Sequence, residues 1–176
     1  MTTLRYQPFQ KISLLFFHHP MTQYGVRELS KQTKTDTKTV MKYLHKLVKK
    51  KIILRKHETG KFPYYEANRT SYLYHHEKSE LIIKKIYQSG VIEYLEHQFS
   101  PKVIVLFGSI RKGTYHHQSD VDIFIQAPYK QIDSSKFSKK IGYPIELFCE
   151  ADLNNLSKGL LTNIYNGLVL AGKLEI

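Results

Sequence analysis

Apolar positions in the first seventy residues change their spacing once, and the change separates helices from strands. Over residues 9–18, Ile12, Leu15 and Phe16 recur at helical spacing until Pro20 stops the pattern. Residues 26–33 predict a short second helix with Leu29 inward, followed by Lys34-Thr35-Asp36, a polar turn carrying capping side chains. A third helix is predicted from 37 to 50. Its apolar stripe is Val40, Leu44, Leu47 and Val48, and Lys38, Lys42, Lys46 and Lys49 lie mostly away from that stripe. From Ile52 the pattern shortens: 52–56 reads as a strand, 58–61 as a turn and 63–67 as a returning strand.

Further along, residues 72–76 lead into a helical stretch, 77–98, with a break at Ser89-Gly90. Leu81, Ile82 and Ile86, then Val91, Ile92 and Leu95, form stripes that either cover a sheet or pair with a second copy in a homodimer. Residues 103–107 are a continuous β-branched and apolar run, expected of a strand central in a sheet and covered on both faces. A second run, Ile123-Phe124-Ile125, follows Asp120-Val121-Asp122. Residues 127–140 read as a polar connection with a short helix at 134–140, and 144–149 as a third strand. The last helical region is expected to start at 151–153 and to carry Leu160, Leu161, Ile164 and Tyr165.

Charge divides this chain more sharply than periodicity does. The net charge is +12, and residues 1–72 hold fifteen Lys or Arg against four Asp or Glu, a net +11. The remaining twelve basic and eleven acidic residues leave only +1. Two domains with two tasks follow, the first facing a polyanion. Hydrophobic residues, at 41%, suffice for packed cores. No apolar run is long enough to span a membrane, and residues 12–17 are too short and lack a cleavage site. A cytoplasmic protein with no membrane partner is expected. Cys149 is the only cysteine, which suits a reducing compartment and a core position.

The chemistry gathers between the two apolar runs. Gly108 and Ser109 follow the first run directly, where a small residue lets backbone N–H groups approach phosphate oxygens. Ten residues later, Asp120 and Asp122 project to one side of the second strand while Val121 and Ile123 face the core. Two repelling carboxylates favour a divalent cation, and oxygen donors with open water positions suit Mg²⁺ carrying a nucleoside triphosphate. Three adjacent histidine pairs, His18-His19, His75-His76 and His116-His117, lack ligand spacing and read as surface or capping groups. The third pair lies in the loop that would approach a nucleotide.

Gly-Ser, ten residues, then Asp-x-Asp, each end tied to an apolar strand, resembles the defining motif of the minimal nucleotidyltransferases of the DNA polymerase beta superfamily. Gly113, Ser119 and the closing segment 167–172 agree with it. The resemblance implies a catalytic and metal-binding set of Asp120, Asp122 and a third carboxylate, matched here by Glu146, converging on one or two Mg²⁺ ions. It also implies a nucleotide-binding set of Gly108, Ser109, Arg111 and Lys112, although Arg111 stands where that family usually carries a small residue. Residues 9–68 in turn resemble the winged helix-turn-helix domains of transcriptional regulators, whose third helix enters the major groove while the wing touches the backbone or minor groove. By that resemblance Thr35, Thr37, Lys38 and Lys42 reach base edges, and Lys49, Lys50, Arg55, Lys56 and Lys61 contact phosphates.

The expected fold is α+β: a winged helix-turn-helix domain (1–72), a helical linker (73–98) and a nucleotidyltransferase domain with a small mixed sheet flanked by helices (99–176). The expected activity is Mg²⁺-dependent transfer of a nucleoside monophosphate, from ATP by preference, to an acceptor that the sequence does not identify, a protein being one candidate, in a chain that binds duplex DNA and regulates transcription. Two alternatives remain open at this point. One is a catalytically silent, nucleotide-sensing regulator; the other, implied by the family, is an antitoxin that adds AMP to a HEPN-type toxin.

Overall fold

The computed structural model describes residues 7–175. The chain divides into two compact units, one ending at Glu77 and the next beginning at Lys78. The α+β class and both expected architectures are present.

The first unit packs three helices, α1 (Pro8–His18), α2 (Val26–Thr33) and α3 (Thr37–Lys49), beside a hairpin of β1 (Ile53–Lys56) and β2 (Tyr64–Ala67). Pro at the first position of α1 suits a helix start, where no N–H partner is needed. Lys34 closes α2 in the left-handed conformation at φ 52°, and Asp36 opens α3 by accepting the Thr39 N–H at 2.8 Å. Ile12, Phe16, Leu29, Val40, Leu44 and Leu47 are fully buried. Each such side chain contributes roughly 1.5–3 kcal/mol by leaving water. The hairpin is antiparallel with Ile53 opposite Ala67 and Lys56 opposite Tyr64. Sequence periodicity missed one feature, a bridge in which Tyr24 and Tyr65 exchange two backbone hydrogen bonds of 2.9 Å. A single paired residue leaves no repeat to detect.

α4 (Tyr72–Ser89) begins five residues earlier than the expected start at 77. Its first turn is fixed by Ser71, whose hydroxyl accepts the Tyr74 N–H at 3.4 Å, and by Tyr74, buried with its hydroxyl donating to the Phe16 carbonyl at 3.1 Å. Burial pushes the Tyr74 phenol up to about 12. The expected break is present: Gly90 adopts φ 80° and α5 (Val91–Phe99) follows.

The second unit is built on a four-stranded sheet in the order β5-β4-β3-β6, comprising β3 (Val103–Leu106), β4 (Val121–Ile125), β5 (Ile145–Cys149) and β6 (Leu168–Gly172). β3 is internal, antiparallel to β4 and β6, and β5 runs parallel to β4. Its two faces fill different cores. Ile104, Leu106, Val121, Ile123 and Ile125 meet Ile82, Ile86, Val91 and Leu95, together with Phe137 and Ile141 of α7 (Ser135–Ile141). On the other face Val103, Val105, Phe107 and Phe124 pack with Ile164 of α8 (Lys158–Tyr165). α4 and α7 cap each other: Lys140 Nζ donates to the Ser89 carbonyl at 2.9 Å and Lys85 Nζ to the Ile141 carbonyl at 3.1 Å.

One expectation for the C-terminal segment needs correction. The helix does not start at 151–153. Asp152 caps only a 3₁₀ turn at Leu153–Asn155, Leu156 is extended, and Ser157 opens α8 afresh. The segment after Gly167 is strand β6, which shields the far edge of β3. Among the described residues no helix is long and apolar enough to cross a membrane.

Candidate active site and nucleic-acid interface

The chain leaves β3 through Phe107, whose N–H donates to the Asp122 carbonyl at 3.0 Å, and turns at once into α6 (Gly108–Lys112). Gly108 is needed there on two counts. Its φ is 71°, and a Cβ at that position would overlap Asp122 Oδ2, so the carboxylate lies directly against the glycine backbone. The Ser109 main chain hydrogen-bonds the same carboxylate. In this arrangement the first N–H expected to meet phosphate is engaged by Asp122.

Strand pairing aligns the carboxylates. β4 and β5 run parallel with Asp122 opposite Glu146, while Asp120 lies two residues before Asp122, just ahead of the strand. Asp120 and Asp122 are half-buried and Glu146 is exposed. Burial, then the Glu146 charge, then the Asp120 charge hold the Asp122 carboxyl above the usual carboxylate range, and the Ser109 hydrogen bond partly offsets them. The three are aligned but not gathered: among the described residues no group of three His, Cys, Asp or Glu side chains could hold a metal ion. Like charges on adjacent strands repel, so convergence without a cation is not favoured. As a donor set the three fit a hard divalent cation, since all are carboxylates and their repulsion is what such an ion relieves.

The nucleotide-side residues are spread along α6. Arg111 is half-buried and its Nε is enclosed with no hydrogen-bond partner among the described residues, a donor that an anion would satisfy. Lys112 is exposed, with Nζ 3.4 Å from Asn163 Oδ1 of α8. In the loop beyond, His116 and His117 are exposed; His116 Nδ1 accepts the Gln118 N–H at 3.2 Å and so shapes the loop itself. Sequence reasoning missed that Lys78 and Ser79 of α4 are buried, donating to the Tyr115 and Arg111 carbonyls. On a sequence a lysine and a serine in a helix read as a solvated face, and only tertiary contacts distinguish them.

On the first unit, Thr37, Lys38 and Lys42 are exposed along α3. Thr35 is half-buried in the turn before it, its hydroxyl donating to the Thr33 carbonyl at 3.3 Å, which suits turn geometry better than base contact. Lys49 and Arg55 are exposed, with no carboxylate partner among the described residues. Three other expected phosphate contacts are ion-paired: Lys50 with Glu77 at 2.8 Å, Lys56 with Glu66 at 3.7 Å and Lys61 with Glu58 at 2.6 Å. Such surface pairs are worth about 0–1 kcal/mol, so exchanging a carboxylate for phosphate costs little. Between α3 and the hairpin runs a groove of about 880 Å³ lined by Thr37, Met41, His45, Arg55, Phe62 and Pro63. Met41 and Phe62 expose apolar surface in it, and neither carries a charge that a search for basic residues would find.

Comparison with known families finds two matches, which overlap over residues 89–102. The nucleotidyltransferase domain model matches residues 89–148, which contain Gly108, Ser109, Asp120, Asp122 and Glu146. The penicillinase repressor model matches residues 15–102, half of the chain, including α2, α3 and the hairpin. No curated protein and no solved structure matches. The chain belongs to the penicillinase repressor family through its N-terminal winged-helix DNA-binding domain, and joins that domain to a nucleotidyltransferase domain.

Proposed function

We propose that the protein is a DNA-binding nucleotidyltransferase that moves a nucleoside monophosphate, from ATP by preference, to an acceptor hydroxyl with Mg²⁺, and regulates transcription through its first unit. The observation that carries this reading is the placement of Asp122: seated on Gly108, bonded by Ser109, opposite Glu146 and held above its usual range by burial and then by two neighbouring carboxylates. Asp120 and Asp122, with Glu146, are the residues that would hold the ion, which when bound neutralises charge on the triphosphate. Arg111 and Lys112 meet the phosphate tail. Glu146, exposed at the rim, takes the proton of the acceptor hydroxyl as its oxygen bonds the α-phosphorus and the bond to the β-phosphate breaks, releasing pyrophosphate. The exposed lysines of α3 and the +11 of residues 1–72 supply the attraction to duplex DNA.

One observation favours a second reading. Because the three carboxylates are not gathered, a regulator that binds nucleotide without turning it over fits the same residues. Incubation with each α-labelled triphosphate and Mg²⁺, with and without duplex DNA and candidate protein acceptors, separates the two. Label transfer with pyrophosphate release is expected; binding without release supports the sensor, and neither outcome for any triphosphate rejects both.

A further inference from the structure

Two consecutive residues of α4, Lys78 and Ser79, are each only 3% exposed, and their polar ends lead to one segment of chain. Lys78 Nζ donates to the Tyr115 carbonyl at 2.5 Å and sits 4.4 Å from the centre of the Tyr115 ring. The Tyr115 hydroxyl donates back to the Lys78 carbonyl at 3.0 Å. Ser79 Oγ donates to the Arg111 carbonyl, also at 3.0 Å. Arg111 lies in the last turn of α6, where helical carbonyls lack partners of their own. Tyr115, 1% exposed and edge-on to Tyr143, is the buried anchor of the loop, flanked by exposed Thr114 and His116. Both ends of residues 111–115 are therefore held by neighbouring side chains of a single helix.

Packing does not explain a cation here. Burying an ammonium group is costly, and an apolar side chain of similar length would fill the space without that cost. Burial pushes the Lys78 amine down to about 8, the direction that this penalty sets. What the ammonium supplies, and a methionine lacks, is a hydrogen bond to Tyr115 and attraction to its ring.

We propose that Lys78 and Ser79 are positioning residues of the nucleotide site: they fix residues 111–115 and so aim Arg111 and Lys112 at the triphosphate. The proposal rests on the transferase reading of that site. Neither side chain touches substrate, and both act through the loop.

The test uses the full chain and compares wild type with Lys78→Met, Lys78→Arg and Ser79→Ala. Amide hydrogen exchange of residues 109–115, thermal midpoint and Mg-ATP affinity are measured in each. Lys78→Met is expected to melt at or above the wild-type temperature while residues 109–115 exchange about tenfold faster and Mg-ATP binds about tenfold more weakly, the loss of one charge-assisted hydrogen bond. Lys78→Arg, which keeps a cation and its donors, should recover most of both. Ser79→Ala should show the same pair of changes at about threefold, and carries the test if Lys78→Met fails to fold. Unchanged exchange in both Lys78→Met and Ser79→Ala overturns the proposal. Faster exchange with a lowered melting temperature and unaltered Mg-ATP affinity also overturns it, since that is a structural role alone. A wild type that binds no nucleotide rejects the transferase reading itself and this assignment with it, an outcome distinct from unchanged exchange.

Discussion

Lys38, Lys42 and Lys49 stand exposed on the first unit, whereas in the second Lys78 is buried, Asp122 is half-buried, and both are pushed toward their neutral forms. The difference shows two uses of charge. Cations left in water cost the fold almost nothing and act at long range on a polyanion, so their number matters more than their placement. Groups taken out of water cost stability, and their value lies in position. The first kind is visible in a count of residues along the chain. Detecting the second requires knowing what lies opposite.

The largest expected effect lies where position is tightest. Gly108→Ala combines left-handed strain of about 1–2 kcal/mol with displacement of the Asp122 carboxylate, so it should lower the melting temperature and abolish Mg-ATP binding together. A stable, nucleotide-binding Gly108→Ala would show that Asp122 is not fixed by this contact.

For the first unit the expected changes are gradual. Binding to a random duplex pool should weaken steeply with salt, and Lys49→Ala and Lys50→Ala should each reduce the slope of log affinity against log salt by about 1. Nucleotide affinity should not change. A slope unaltered in both variants would remove these lysines from the interface.

pH distinguishes Asp122 from Lys78 in the second unit. The folded Asp122 carboxyl is held above its usual range, so between its unfolded and folded values the native chain carries a proton that the unfolded chain has released. Stability from this group therefore falls as pH rises through that window. Lys78 titrates at about 8 in the fold against 10.5 ordinarily, and between those values the unfolded chain holds the extra proton, so stability rises with pH. Melting curves of Asp122→Asn and Lys78→Met should each flatten their own window and leave the other intact. The smallest expected change is Asp36→Ala, which removes the cap on the Thr39 N–H and should cost about 1 kcal/mol without altering nucleotide binding.

Much of this was legible before the structure. The helical stripes of α1 to α3, the continuous run of β3 and the spacing from Gly108 to Asp122 each follow from a local rule that the fold obeys. The opposition of Glu146 and Asp122 was reached only through resemblance to a family; the register of β4 against β5 gives it a physical basis. Other features depend on partners distant in sequence. Leu168 to Gly172 carries no alternation to mark a strand, and pairing with β3 defines it. Lys50, Lys56 and Lys61 read as free cations until Glu77, Glu66 and Glu58 are found beside them. The buried Lys78 and the uncharged groove residues Met41 and Phe62 belong to the same class.

The most direct test of the transferase site is Mg²⁺-dependent triphosphate binding measured beside thermal stability in Asp122→Asn. Removing one of three repelling carboxylates should leave the fold at least as stable as wild type while abolishing Mg²⁺-dependent binding and any transfer. A variant that unfolds would make Asp122 a structural residue. One that binds Mg-ATP and transfers nucleotide as wild type does would place the chemistry somewhere other than the β4–β5 edge.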